Sequence, residues 1–406
     1  MKIKGMAAAF MMCISLAGCS ASNADVTDVD CSSPAAAQST YVKDAAELEH
    51  WTEGSESAAS IREFVEQITD RESGHYVPPQ DRIAVFDFDG TLYGERCPTF
   101  FERCMFVHRV LDDPTYDAPA DMKAYAQELR TQMNEHRVSS DLEEQYDKYS
   151  TVVYEGMTIE EYQQYVRDFL EQPCTGFDDM TYGDGYFLPM VSLVKYLYSN
   201  NFKVYICSGS DRNTLRALTE GVLDKYIPPE RCIGTDNMVS APAQNGEDPA
   251  KYQYQAEDEL VYGKTIAPRN MNTNKVISIQ REIGKAPLMV FGNSEGDLSM
   301  AQMALQNKYG GQAYLLLCDD TDRDYGDTAK AAELKKTCYE RGFHTVSMKD
   351  EFAEIYAVGT MNGTVPEPAP EPEPVPAPEP DPSPAPLPDD VSAAAPAYDC
   401  GADIAA

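Results

Sequence analysis

Three short apolar runs punctuate the chain: Ile83-Ala84-Val85-Phe86, Val204-Tyr205-Ile206-Cys207 and Leu288-Met289-Val290-Phe291. Each passes at once into Asp, Ser or Gly and then into a helical pattern. Continuous apolar runs of this length are what strands buried on both faces require, and parallel sheets bury both faces. Further strands are predicted at Ala313–Leu317 and around Thr345-Val346. Strands alternating with helices predict an α/β fold, a Rossmann-like parallel sheet flanked by helices, with ligands at the carboxyl ends of its strands.

Between the first two runs the period changes. Met122, Tyr125, Ala126, Leu129 and Met133 recur at helical spacing. Thr158 and Glu161 form a capping box ahead of Tyr162, Tyr165, Val166 and Phe169. Residues 94–185 therefore read as a helical insertion, a cap, in a core made of 46–93 and 186–362. No internal repeat is visible.

Both ends of the chain depart from a globular pattern. Met1-Lys2-Ile3-Lys4 is basic, and Gly5 to Leu16 is apolar but too short to span a bilayer as a lasting helix. The run closes on Leu16-Ala17-Gly18-Cys19-Ser20, which resembles a bacterial lipoprotein signal, with the Cys19 thiol receiving the lipid. Residues 1–18 are then a signal peptide, and 19–45, rich in Ala, Ser and Asp, a tether. The expectation is an exported bacterial lipoprotein, anchored to the cell membrane by lipid on Cys19. From 363 to 406 Pro and Glu alternate, a composition that cannot bury a core and predicts an extended, disordered spacer.

Charge and cysteine use narrow the function. A formal net charge of −34 excludes nucleic acid as a partner, because its phosphates would be repelled. Export permits disulfides among the 11 cysteines, with Cys97–Cys104 and Cys318–Cys338 as candidate pairs. The five histidines are scattered, which argues against a structural zinc site and against a histidine nucleophile.

The strongest chemical signal is Val85-Phe86-Asp87-Phe88-Asp89-Gly90-Thr91-Leu92. Two carboxylates leave a buried strand two residues apart, and Gly90 allows the sharp bend that follows. Charges so placed need a partner, and a divalent cation with oxygen preference, Mg2+, suits carboxylates beside a phosphate.

This motif resembles that of the haloacid dehalogenase-like superfamily of phosphohydrolases, and the resemblance extends over residues 81–357. It implies that Ser208, in Cys207-Ser208-Gly209-Ser210, takes the family's second position and binds phosphoryl oxygens together with nearby amides such as that of Gly209. Ser210 or Asp211 would cap the next helix. The family's lysine is Lys275 or Lys264. Lys275 is favoured because it opens a helical pattern and lies 22 residues before Asp297, a spacing that fits the family. The fourth motif is Gly292-Asn293-Ser294-Glu295-Gly296-Asp297. Many relatives carry Asp where this chain has Asn293, so Asn293 is expected to orient a metal-bound water or Lys275. Asp297 becomes the expected third metal ligand beside Asp87 and the Asp89 main-chain carbonyl, with Glu295 as a neighbour.

The resemblance implies a magnesium-dependent phosphomonoesterase. Asp87 would be the nucleophile that forms an aspartyl phosphate, and Asp89 the acid/base that serves the leaving oxygen. Asp89 argues against dehalogenation, since family dehalogenases lack this second carboxylate. The insertion stands where the family's first type of cap stands, as in phosphoserine phosphatase. Glu95 lies one residue before the place where that enzyme's glutamate holds the substrate's amino group, a departure from the phosphoserine pattern. The ending Arg341–Met348 is closer to exported phosphorylcholine phosphatase-like members, so the expected substrate is a small phosphorylated metabolite such as phosphorylcholine, and Tyr93 is a candidate wall of an aromatic cage. Two rival readings stand beside this one: a phosphotransferase with the same intermediate, and a non-catalytic, lipid-anchored binding protein.

Overall fold

The computed structural model describes residues 46–95, 99–135 and 138–362. Helix α1 (Glu56–Thr69) leads into strand β1 (Ile83–Phe86). The chain then leaves the sheet through α2 (Phe101–Leu111), α3 (Ala120–Asn134), α4 (Ser140–Ser150) and α5 (Ile159–Leu170). It returns by a two-residue strand, β2 (Phe177–Asp178), and α6 (Leu188–Ser199) to β3 (Lys203–Asp211). Beyond α7 (Arg212–Thr219) and β4 (Cys232–Thr235) a hairpin intervenes, β5 (Asn237–Ser240) and β6 (Val261–Ile266). Alternation then resumes with α8 (Thr273–Glu282), β7 (Met289–Gly292), α9 (Leu298–Leu305), β8 (Gln312–Leu317), α10 (Thr328–Arg341) and β9 (His344–Ser347). A short α11 (Met348–Glu351) and β10 (Thr360–Met361), which pairs with β2, complete the described chain.

Six strands form one sheet in the order β4-β3-β1-β7-β8-β9, and every adjacent pair is parallel. The four residues of β1 are all buried, as an apolar run between two helical layers must be. Phe86 stacks on Phe291 with ring centroids 4.4 Å apart, and both are fully buried. Ala84, Phe86, Ile206 and Phe291 join a core cluster with α1 and α6, whereas Val85, Cys207 and Val290 join another with α8, α9 and α10.

The strand order reverses at β1. From it the chain goes first to β3 and β4 on one side, then to β7, β8 and β9 on the other. Such a reversal opens a crevice at the carboxyl ends of the strands, because successive connections diverge to opposite faces. Phe86 is paired with Ile206 and Phe291. The residues that follow, Asp87, Ser208 and Asn293, therefore emerge at one edge.

Helices α2 to α5 fill the segment read as a cap. All five periodic positions of α3 are buried. The Thr158–Glu161 capping box has both of its bonds, 3.1 Å from the Glu161 amide to the Thr158 hydroxyl and 2.8 Å from the Thr158 amide to the Glu161 carboxylate. β4 and the β5–β6 hairpin were not visible in the sequence, since β5 and β6 lack a buried apolar run. The hairpin also serves the cap: the Gly156 amide donates to Tyr262 O at 2.9 Å, and the Tyr262 amide to Met157 O at 2.8 Å.

The Cys318–Cys338 pairing is corrected. Cys338 is a free, buried thiol. It lies near the end of α10, which runs back across the sheet from the carboxyl edge of β8, where Cys318 sits, so the two are held toward opposite ends. Cys97 and Cys19 lie outside the described residues, as do the signal, most of the tether and the Pro/Glu tail. Among the described residues no helix is long and apolar enough to cross a membrane.

Candidate active site

A cavity of about 730 Å³ opens over the switch point. Its floor carries Asp87, Asp89, Ser208, Gly209, Lys275 and Asn293, and its roof includes Phe100, Glu102, Arg103 and Tyr146 from the cap. Three of the dispersed motifs meet on one surface because each follows a strand of the same parallel sheet, and Lys275 joins them from α8.

Asp87 continues β1, its amide donating to Phe291 O at 2.8 Å. The chain then turns on Gly90, whose φ of +68° favours glycine. A Cβ there would stand 1.9 Å from Asn293 Nδ2, so the missing side chain is also what lets Asn293 reach the motif. Asn293 Oδ1 accepts from the Thr91 hydroxyl at 3.3 Å.

Lys275, near the start of α8, is buried between two carboxylates. Its Nζ is 2.8 Å from Asp87 Oδ1 and 2.6 Å from Asp297 Oδ1. Burial opposes its charge, but Asp297 and Asp87 outweigh that and hold its pKa above the ordinary value. Lys264, by contrast, is exposed on β6 and pairs with Glu155 at 3.2 Å.

Asp297 does not stand where the sequence reading put it. It is fully buried and does not line the cavity. One oxygen binds Lys275; the other accepts from the Asn293 amide at 2.9 Å and from the Ser294 amide and hydroxyl at 3.1 and 3.2 Å. Asp297 closes a reciprocal capping box with Ser294 in a single 3₁₀ turn, and that turn aims its carboxylate back under the loop. Gly292 permits the approach, since a Cβ there would lie 2.6 Å from the carboxylate. Asp297 is the counter-ion of Lys275, and its oxygens are already engaged.

Among the described residues no three His, Cys, Asp or Glu side chains come together as a metal cluster. The oxygen donors on the cavity floor around Asp87 are its own carboxylate and the Asn293 amide, next to the Asp89 main chain; the Glu95, Glu102, Glu143, Asp147 and Glu295 carboxylates line the cavity as well. Asp87 Oδ1 is buried and, despite the ion pair with Lys275, accepts no well-directed hydrogen bond. Burial and the nearby Asp297 charge push the Asp87 pKa up, and Lys275 only partly offsets them. A second positive charge beside Asp87 would relieve that. This donor set, one carboxylate with neutral oxygens, fits Mg2+, which keeps several waters and shares ligation with phosphate.

Asp89 has a different environment. Burial pushes its pKa up to about 7; the Ser210 hydroxyl, donating to Oδ2 at 2.6 Å, opposes the rise, and the negative charges of Glu102 and Glu95 add to it. Ser210 thus serves Asp89, while Asp211 caps α7 by accepting from the Asn213 and Thr214 amides. Tyr93 is buried, stacked on Phe88 with its hydroxyl 2.5 Å from Tyr182 O, and does not line the cavity, so it packs the cap's base and forms no cage.

Several residues of the site went unread in the sequence. Glu102 Oε1 accepts from the Asp211 amide at 2.7 Å, tying α2 to the phosphate-side loop. Arg269 Nε bonds Asp147 of α4 at 2.8 Å. Arg103 pairs with Glu143, and both guanidinium groups lie over the Tyr146 ring, at 5.7 and 5.5 Å. None of these follows a strand motif, and only the α4 spacing of Glu143, Tyr146 and Asp147 hinted at one shared face.

No family model matches the chain, and no curated protein matches it. Similar solved structures include a conserved protein of unknown function from Anaerococcus prevotii DSM 20548, 14% identical with a TM-score of 0.45 over 73% of this chain and 94% of that one. Cytosolic 5'-nucleotidase IIIB bound to cytidine is 14% identical, with a TM-score of 0.41 over 74% and 88%. A phosphoserine phosphohydrolase-like protein from Francisella tularensis subsp. tularensis SCHU S4 is 13% identical, with a TM-score of 0.34 over 65% and 94%. These likenesses are too distant to transfer a function.

Proposed function

We propose that the chain is a magnesium-dependent phosphomonoesterase of the haloacid dehalogenase-like type. The observation that carries this reading is the convergence of Asp87, Asp89, Ser208 and Lys275 on one cavity floor, with Lys275 2.8 Å from Asp87.

Asp87 Oδ attacks phosphorus; the bond to the ester oxygen breaks, and Asp89 gives that oxygen its proton. Water then attacks the aspartyl phosphate, Asp89 takes its proton, and cleavage of the P–O bond to Asp87 releases orthophosphate. An acid with a pKa of about 7 suits both halves of this cycle. Ser208 and the following amides bind the phosphoryl oxygens, and Lys275 keeps Asp87 oriented. Asp87, the Asp89 carbonyl and Asn293 would hold Mg2+, which supplies positive charge to the phosphoryl group.

The leaving group we propose is a small cationic alcohol, with phosphorylcholine as the first substrate to try. The roof and rim carry more carboxylates (Glu95, Glu102, Glu143, Asp147) than guanidiniums (Arg103, Arg269), and both arginines are engaged by Glu143 and Asp147. That excess disfavours polyanionic leaving groups. The ring faces of Phe100 and Tyr146 already carry the Arg103 and Arg269 guanidiniums, so the carboxylates of the roof are what would draw a cationic leaving group. The enzyme would act after export, anchored to the cell membrane by lipid on Cys19 and spaced by its tether.

The deciding experiment is a phosphate-ester panel with and without Mg2+. Magnesium-dependent release of orthophosphate from phosphorylcholine supports the whole reading. Turnover of sugar phosphates with no action on phosphorylcholine would sink the substrate, and no turnover of any ester would sink the enzyme.

A further inference from the structure

The ladder between β3 and β4 breaks between Cys207 and Asp211, just where the chain must turn to receive a phosphoryl group. The carbonyls of Ser208 and Gly209 need other partners there, since a buried carbonyl without one is costly. Side chains from two other segments supply them. Asn270, in the loop before α8, donates from Nδ2 to Ser208 O at 3.0 Å. Thr235, the last residue of β4, donates its hydroxyl to Gly209 O at 2.6 Å. The same hydroxyl accepts from the Asn270 amide at 3.0 Å, so the two residues form one brace. Both are almost wholly buried, and neither lines the cavity.

A trans peptide points its N–H opposite to its C=O. Holding Ser208 O therefore aims the Gly209 N–H, and holding Gly209 O aims the Ser210 N–H. The Ser210 amide in turn donates to Ser208 Oγ at 3.2 Å, which sets the hydroxyl. We propose that Thr235 and Asn270 are positioning residues that orient the phosphoryl-binding donors of the Ser208–Ser210 loop. The inference rests on the phosphatase reading. The brace also receives the cap: Arg269, next to Asn270, reaches Gly209 O at 3.5 Å while bound to Asp147 of α4.

The test compares Thr235→Val, which keeps the volume and loses the hydroxyl, with Thr235→Ser, which keeps the hydroxyl. Turnover of p-nitrophenyl phosphate, orthovanadate affinity with Mg2+ present, and melting temperature are measured for each; Asn270→Ala repeats the test from the other half. Mis-aimed donors are expected to lower kcat in Thr235→Val by about 10²-fold. Orthovanadate affinity should fall in parallel, and Thr235→Ser should stay near wild type in both. A Thr235→Val protein that melts like wild type, binds orthovanadate equally and turns over normally overturns the brace. So does one whose activity falls only with its folded fraction. If the wild type hydrolyses no ester, the phosphatase reading fails, and the brace is judged by orthovanadate binding alone. Equal binding by wild type and Thr235→Val, or none by the wild type, then ends it as well.

Discussion

The Ser210 hydroxyl donates to Asp89 Oδ2 at 2.6 Å. The bond connects the loop after β3 to the motif after β1, and it favours the ionised form of a carboxylate whose burial favours the neutral one. Ser210→Ala removes the opposing bond, so the Asp89 pKa should rise. The alkaline limb of the kcat/KM profile should then move to higher pH, with activity near pH 6 changing little. A limb that stays in place would show that Asp89 does not control it.

The same carboxyl predicts how leaving groups behave. Below pH 7 Asp89 carries the proton an alkoxide needs; above it the acid is spent. The kcat/KM for an alkyl phosphate should fall as pH rises through about 7. p-Nitrophenyl phosphate, whose leaving group needs little protonation, should fall less. Asp89→Asn should cost the alkyl substrate about 10²–10⁴-fold.

Asp89 also links pH to stability. Its folded pKa of about 7 lies above the ordinary aspartate value of 3.8. Its stabilising contribution is therefore complete below about 3.8 and lost as pH rises through 7. In metal-free protein, Asp89→Asn should raise the melting temperature most near pH 8, and the gain should shrink toward pH 5. Calorimetry at the two pH values checks the sign.

Asn293 and Asp297 should separate cleanly. Asn293→Ala removes a neutral oxygen that faces the cavity, so the Mg2+ concentration for half-maximal activity should rise about 10-fold or more, with little change in melting temperature. Asp297→Asn leaves Lys275 with one carboxylate and should cost about 3–5 kcal/mol in denaturant unfolding. The opposite pattern would return Asp297 to the metal.

Asp87→Asn should abolish turnover and keep the fold, because the amide retains the shape of the side chain and cannot act as the nucleophile. Circular dichroism with an orthophosphate assay tests both halves. Wild-type rates in this variant would overturn the mechanism.

The sequence by itself determined the sheet and the order of its motifs. Apolar runs at 83–86, 204–207 and 288–291 can only be satisfied by burial on both faces, and the polar residues that follow them must then gather at one edge. It also determined α3 and α5 of the insertion, whose periodic positions needed no distant partner to be recognised. Only the tertiary structure decided which atoms of those motifs face the cavity. Asp297 and Asn293 are four residues apart, and in one dimension charge favours Asp297 as the ligand; a 3₁₀ turn points it inward to Lys275 and leaves Asn293 at the cavity. Ser210 differs in the same way from Asp211: they are successive residues at the end of β3, and one hydroxyl reaches Asp89 while the next carboxylate caps α7. Thr235, Asn270 and Glu102 reach the loop from separate segments, brought there by strand order and by the cap's return. Their partners are set by where the chain comes back in space, which no local pattern of hydrophobic and polar residues records.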